Sequence, residues 1–327
     1  MKNIVLSMSL IAVTGLMSAC SSSTSSVTLP SAISVEAPKL HPEGISYHDK
    51  HFYLSSIYEG KIVSVDFEGN VKEFAQDDSL VSVIGMHVDK RNGTLVVCNS
   101  DSGFGKKSSD VTKGRLAELI TYDLESGKKL RTVSLSPLYQ GGHFANDFTF
   151  DSEGNIYVTD SFSPVIYKVD WKGTATLFAT STLFQAPQGS FGLNGIVTHD
   201  NHLIVGRADV GKLYRVSLVD PTQIEEVAVE GKVNSIDGLL LQKDGSLIVV
   251  SNNFTGEGFD EAVYKLRSRD GWRSASIVGR EKIEGGVFPT TVTEVDGAVY
   301  ANYSYLPALV MHKPEVKTFK IQKIDFR

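Results

Sequence analysis

The sequence predicts an all-β protein, a six-bladed β-propeller with a metal site at one end of its central channel. Three observations carry this. One pattern of strand, turn and strand recurs six times along the chain. Each copy opens on an anchor residue, and four of the six anchors bear a carboxylate or amide oxygen. No segment shows the apolar period of a helix.

The first copy, "EGISYHDKHFYLSSIYEGKIVSVD", begins at Glu43, and the second, "IGMHVDKRNGTLVVCNSD", at Ile84. "NDFTFDSEGNIYVTDSFSPVIYKVD" begins at Asn146 and "NGIVTHDNHLIVGRADVGKLYRVS" at Asn194. "DGLLLQKDGSLIVVSNNF" begins at Asp237, and a weaker sixth copy, "TTVTEVDGAVYANYSYLP", at Thr290. Within each copy two alternating runs flank a turn rich in Asp, Gly, Asn or His, the signature of an antiparallel pair. Third strands such as "KIVSVD" and "VIYKVD" follow in copies one, three, four and five. The C-terminal "TFKIQKIDF" and the early "AISVEAP" complete the last blade together, which removes the free edges of an open sheet. The propeller therefore covers residues 33–327.

Ahead of it, "MKNIVLSMSLIAVTGLMSAC" has an early Lys, an apolar run and small residues before Cys20. This reads as a signal peptide over residues 1–19. Met17-Ser18-Ala19-Cys20 is similar to a bacterial lipobox, which makes Cys20 the lipidation site. Residues 20–32, Ser/Thr-rich, form a tether. Ser21 after the lipidated residue directs sorting to the outer membrane in a Gram-negative host. The expected location is that of an exported, membrane-anchored lipoprotein facing the periplasm or the exterior. The other cysteine, Cys98 in "TLVVCNS", reads as a buried inert thiol. Among 327 residues, 41% hydrophobic and 21% charged, the net charge is −6 with no long basic run, which argues against nucleic acid as a partner. Membrane contact is expected only through the lipid, and the protein is expected to be a monomer with a small-molecule substrate.

In a propeller the first strand of each blade lines the channel, so the anchors form a ring at one end. Glu43, Asn146, Asn194 and Asp237 bring four oxygens and two negative charges to one axis, with Ile84 and Thr290 between them. Such a hard, all-oxygen set suits Ca²⁺, which takes about 6–8 oxygen ligands and leaves positions for water and substrate.

The stretches "HPEGISY", "ANDFTFDSEGNIYVTDS", "LNGIVTHDNHLIV" and "IDGLLLQKDGSLIVV" resemble the blade motifs of the gluconolactonase and regucalcin group, related to the paraoxonases and diisopropylfluorophosphatase. The resemblance runs from about His41 to about Pro307. It implies a catalytic Ca²⁺ held by Glu43, Asn146, Asn194 and Asp237, and hydrolysis of lactones, esters or organophosphates. The chain departs from the relatives in places. Val83-Ile84 stands where paraoxonase has a His pair, and the substrate-binding Arg and Asn of regucalcin have no counterpart. Gly44 replaces an Asp that serves a second, structural Ca²⁺, although Asp147 can supply part of such a site.

Loops after the second strands return to the ring and surround it, which makes Asn99, Phe104, Lys106, Lys107, Phe254 and Tyr303 candidate substrate contacts. His143, three residues before Asn146, is a candidate proton-transfer group. His87 reads as a channel-lining side chain, and Asp160 and Asp209 as turn caps. The expected reaction is metal-assisted hydrolysis, with Asp237 or His143 activating a water or Asp237 itself attacking. The competing expectation is a tethered, non-catalytic propeller that binds a protein or glycan; fold alone does not license an activity. If Cys20 carries a lipid, the protein partitions with membranes and Cys20→Ser releases it. A freely soluble mature protein beginning at any other residue contradicts this.

Overall fold

A computed structural model of the chain describes Met1 and residues 29–75, 77–253, 260–311 and 316–326. Residues 2–28, which take in all of the expected signal peptide but Met1 together with Cys20 and Ser21, lie outside the described residues, as does the candidate contact Phe254. The fold is a ring of six antiparallel sheets. Each inner strand contains its anchor or begins two residues after it: Ile45–His48, Ser82–Asp89, Ala145–Phe150, Leu193–His199, Leu239–Leu241 and Pro289–Val295. Three further strands build outward in every blade. Blade five adds a short strand, Ala228–Glu230, paired in parallel on its outer edge.

Closure takes the expected form. Thr318–Ile324 is the third strand of blade six, and Ala32–Glu36 pairs with it as the fourth. Ala32, expected to end the tether, is thus already in the sheet. Phe319, 1% exposed, packs edge-on to His41 with ring centroids 5.2 Å apart, and His41 Nδ1 lies 3.0 Å from Ser304 O. The strand that closes the ring therefore also braces the segment leading to Glu43.

The core consists of apolar clusters lodged mostly between neighbouring blades. One joins Val158 and Tyr167 of blade three to Ala117 and Leu119 of blade two. Another joins Phe52 and Val63 of blade one to Tyr300 and Phe319 of blade six. Large alternating side chains point from both faces of each sheet into these gaps, as stacked blades require. Cys98 is fully buried and free, and burial pushes its thiol well above the ordinary value. One helical turn, Leu306–Val310, is an exception to the all-strand expectation; its Pro307 has no N–H to leave unpaired in a first turn. Among the described residues no helix is long and apolar enough to cross a membrane.

Candidate functional site

The inner strands do not begin cleanly. Strand pairing slips between Val83 and Met86, Ala145 and Phe148, Leu193 and Ile196, and Pro289 and Val292. Each slip spans an anchor and the residue after it. Such bulges re-aim side chains, and here they turn the anchors toward the axis. The second residue of the pair is glycine in four blades because the inner strands converge. A Cβ on Gly195 would lie 2.5 Å from Asp237 O, and one on Gly238 would lie 2.1 Å from Thr291 Oγ1. Blade three departs from this and carries Asp147 there, which places a third carboxyl in the channel.

Side chains at the ends of second strands fix these starts. Ser100 Oγ donates to Ala145 O at 2.9 Å, and Ser161 Oγ to Leu193 O at 2.6 Å. Asn252 Nδ2 donates to Pro289 O at 3.0 Å, and Asn302 Nδ2 to Pro42 O at 2.8 Å. At four junctions, then, one blade holds the carbonyl just before the next blade's anchor.

Glu43, Asn146, Asn194 and Asp237 are all buried, and all four line two spaces at once. Above them lies a cavity of about 380 Å³, and below them a void of about 10 Å³ shared with Asp147 and His87. They form the floor of the first and the roof of the second. Ile84 and Thr290 line neither. Thr290 Oγ1 donates instead to Glu43 O at 2.6 Å, so it positions the Glu43 backbone.

In this buried space the ionised forms of Glu43 and Asp237 are disfavoured. Burial, then the charges of Asp237 and Asp147, raise Glu43 well above the usual carboxylate range. Burial raises Asp237 from 3.8 to about 7, against hydrogen bonds from Asn252 and Asn194. Asn252 Nδ2 donates to Asp237 Oδ2 in a short contact. Asn146 donates through Nδ2 to Ser161 Oγ at 2.9 Å, which leaves its buried Oδ1 with no hydrogen-bond partner. Below the ring His87 Nε2 lies 2.9 Å from Asp147 Oδ1. Among the described residues no group of three or more His, Cys, Asp and Glu has metal-holding geometry. The ring draws two of its four oxygens from asparagine.

Several expected contacts lie elsewhere. His143 Nδ1 is 3.1 Å from Asp160 Oδ2 and 3.2 Å from the Tyr167 hydroxyl; the ring is buried and lines neither space. Asn99 is fully buried, donating to Ser79 O and Glu118 and accepting from Val81 N. Lys106 pairs with Glu59, and Lys107 donates to Asp77 O. Tyr303 is buried between Pro289 and Lys320. Phe104 does line the cavity. Asp160 caps its turn, accepting from Phe144, Phe162 and Ser163 N–H groups, whereas Asp209 chelates Arg207 through both oxygens and faces the cavity. The sequence reading passed over Asn252, Phe144, Phe191 and Phe288. Phe144 and Phe288 each stand two residues before an anchor, which was the available signal.

No protein-family model matches the chain. A strictosidine synthase-like protein 3 of Arabidopsis thaliana is 25% identical over 262 residues, 78% of this chain but only 52% of that protein; the chain spans about half the length of this relative. Solved structures share the fold. A protein of unknown function from Bacteroides thetaiotaomicron has a TM-score of 0.64 at 13% identity, over 89% of this chain and 71% of that one. A gluconolactonase from Xanthomonas campestris has 0.59 at 14% identity, over 89% and 88%. A calcium-binding regucalcin from Agrobacterium tumefaciens has 0.58 at 17%, over 89% and 93%. The neighbours thus include the two kinds of propeller that the blade motifs resemble.

The carboxyls give a pH signature. In chelator, protonated Asp237 and Glu43 favour the folded state. For Asp237 that stabilisation is complete below 3.8 and is lost as pH rises through about 7. The melting temperature should therefore fall from pH 5 to pH 8, and Asp237→Asn should flatten the fall. A melting temperature that rises over this range, with no effect of the substitution, contradicts the assignment.

Proposed function

We propose that the protein is a divalent-metal-dependent hydrolase acting on a lactone or ester of a small molecule, with Ca²⁺ as the metal. One observation carries the reading. Four buried residues with carboxylate or amide oxygens, from four blades, line the floor of a ligand-sized cavity, and one of those oxygens, Asn146 Oδ1, has no protein hydrogen-bond partner. A buried unpaired acceptor needs an explanation. A cation answers it and also relieves the crowding of Glu43, Asp237 and Asp147. The donors fit Ca²⁺, which accepts amide and carboxylate oxygens in flexible geometry. Glu43, Asn146, Asn194 and Asp237 would hold it, leaving Asp147 and His87 below as the remnant of a second site. The similarity to a gluconolactonase and a calcium-binding regucalcin supports the reading, at the level of fold.

When bound, the cation supplies Lewis-acid polarisation of the substrate's carbonyl oxygen. The chain's own residues do the rest. Asn252 and Asn194 orient Asp237, and Ser161 orients Asn146 so that its oxygen faces the axis. Asp237, at the cavity floor, takes a proton from the attacking water or attacks as the nucleophile. His143 has no part in this step, being held by Asp160 and Tyr167.

Ca²⁺ at about 100 times its dissociation constant should stabilise the fold by roughly 2.7 kcal/mol. Glu43→Gln and Asp237→Asn should each lose that gain, together with lactone and aryl-ester hydrolysis, while the β-rich circular dichroism stays intact. Thr290→Val also perturbs the site, since it removes the hydroxyl that donates to Glu43 O and leaves that carbonyl to Asn302 Nδ2 at 3.2 Å. If chelator and Ca²⁺ leave the wild type's melting and hydrolysis unchanged, the enzyme reading fails and a binding propeller takes its place.

A further inference from the structure

The cavity above the ring is lopsided in its chemistry. Phe104, Phe144, Phe191, Phe288, Leu306 and Val310 line it with large apolar side chains. The aromatic part is already packed: Phe144 and Phe191 meet edge to face at 5.4 Å, and Phe162 stands behind both with centroids 5.2 Å away. Such a wall keeps its shape whether or not a ligand is present, so little ordering opposes binding.

The charged lining is all of one sign. Glu43, Asp209 and Asp237 line the cavity, and among the described residues no Lys or Arg does. Arg207 is held by both oxygens of Asp209 and by Leu183 O. Asp209 is matched by Arg207, and Glu43 and Asp237 would be matched by the cation, so among the described residues no lining Lys or Arg remains to receive an anionic substituent. Hydroxyl partners are few as well. Asn252 is committed to Asp237 and Pro289, which leaves Ser102, Ser190, Asn234 and Ser235. Ser102 Oγ is buried with no hydrogen-bond partner. Among the described residues it is the one lining hydroxyl that is buried and unpartnered, against the several hydroxyls a sugar lactone carries. Each hydroxyl buried without a partner weakens binding by roughly ten-fold.

We propose that the substrate is an uncharged lactone or ester with an apolar alkyl or aryl body, which lies on the Phe144–Phe191 wall with one polar group on Ser102, and is not a polyhydroxylated or anionic lactone. This rests on the hydrolase reading for the reacting group only. The volume, about 380 Å³, is near the lower end of the range for small-ligand pockets.

Two measurements keep the inferences separable. The first compares kcat/KM of the Ca²⁺-loaded full chain on three six-membered lactones: one with a pentyl tail, D-glucono-δ-lactone, and one with a carboxylate-ended tail. The second compares calorimetric binding of the pentyl-substituted lactam with the polyhydroxylated lactam, neither of which is hydrolysed. The pentyl lactone should exceed both others by at least about ten-fold, and the lactams should rank likewise. Phe191→Ser and, separately, Phe104→Ser should each shrink the pentyl-to-glucono ratio about five-fold or more; two sites guard against one misfolded variant. Binding of the pentyl lactam with no lactone hydrolysed supports the pocket inference and sinks the hydrolase. Equal or better turnover of glucono-δ-lactone overturns the pocket inference and leaves the hydrolase standing. Failure of the pentyl lactam to bind also overturns it.

Discussion

Each inner strand is set in place by the blade before it, and the ring follows from that. A hydroxyl or amide at the end of one blade's second strand donates to the carbonyl just ahead of the next anchor: Ser100 to Ala145, Ser161 to Leu193, Asn252 to Pro289, Asn302 to Pro42. All four contacts are buried. Removing such a donor leaves a desolvated carbonyl unpaired, which costs about 1–3 kcal/mol, more than the net gain of an average hydrogen bond. Their larger role is geometric. With that carbonyl fixed, the bulge that follows has one direction in which to send the anchor side chain, which is toward the axis.

The same contacts tune the chemistry. Ser161 holds both the backbone of blade four and the Asn146 amide, so packing and ligand orientation share one hydroxyl. Asn252 likewise holds Pro289 O and the Asp237 carboxyl. Neither can change without moving both a blade junction and a site residue. The floor therefore keeps three carboxyls close together at a standing electrostatic penalty, which the raised Asp237 and Glu43 register. A penalty maintained by this much surrounding structure is the observation on which the proposed cation site rests.

The ring anchors were legible in the sequence because the period of the repeats locates them and strand geometry sends them to the axis. Asp147 was visible too, as the one carboxylate in the position that four other blades give to glycine. Other features were not legible, for physical reasons. Asn99 and Asn252 both close a second strand, in "VCNS" and "VSNN", but a one-residue offset decides the face. One therefore meets Glu118 and the other Asp237. His143 is near the ring along the chain, but Asp160 and Tyr167 claim its imidazole, and neither partner is signalled by spacing. Outer strands such as Lys129–Ser134 are exposed along most of their length, so no apolar period marks them.

The central claim is that four blades converge on one cation. Anomalous diffraction from crystals of the full chain soaked in a Ca²⁺-mimicking lanthanide tests it most directly. The account predicts a single strong peak within about 2.3–2.6 Å of oxygens from Glu43, Asn146, Asn194 and Asp237. A ring that stays empty at saturating ion, or a peak held by other residues, contradicts it.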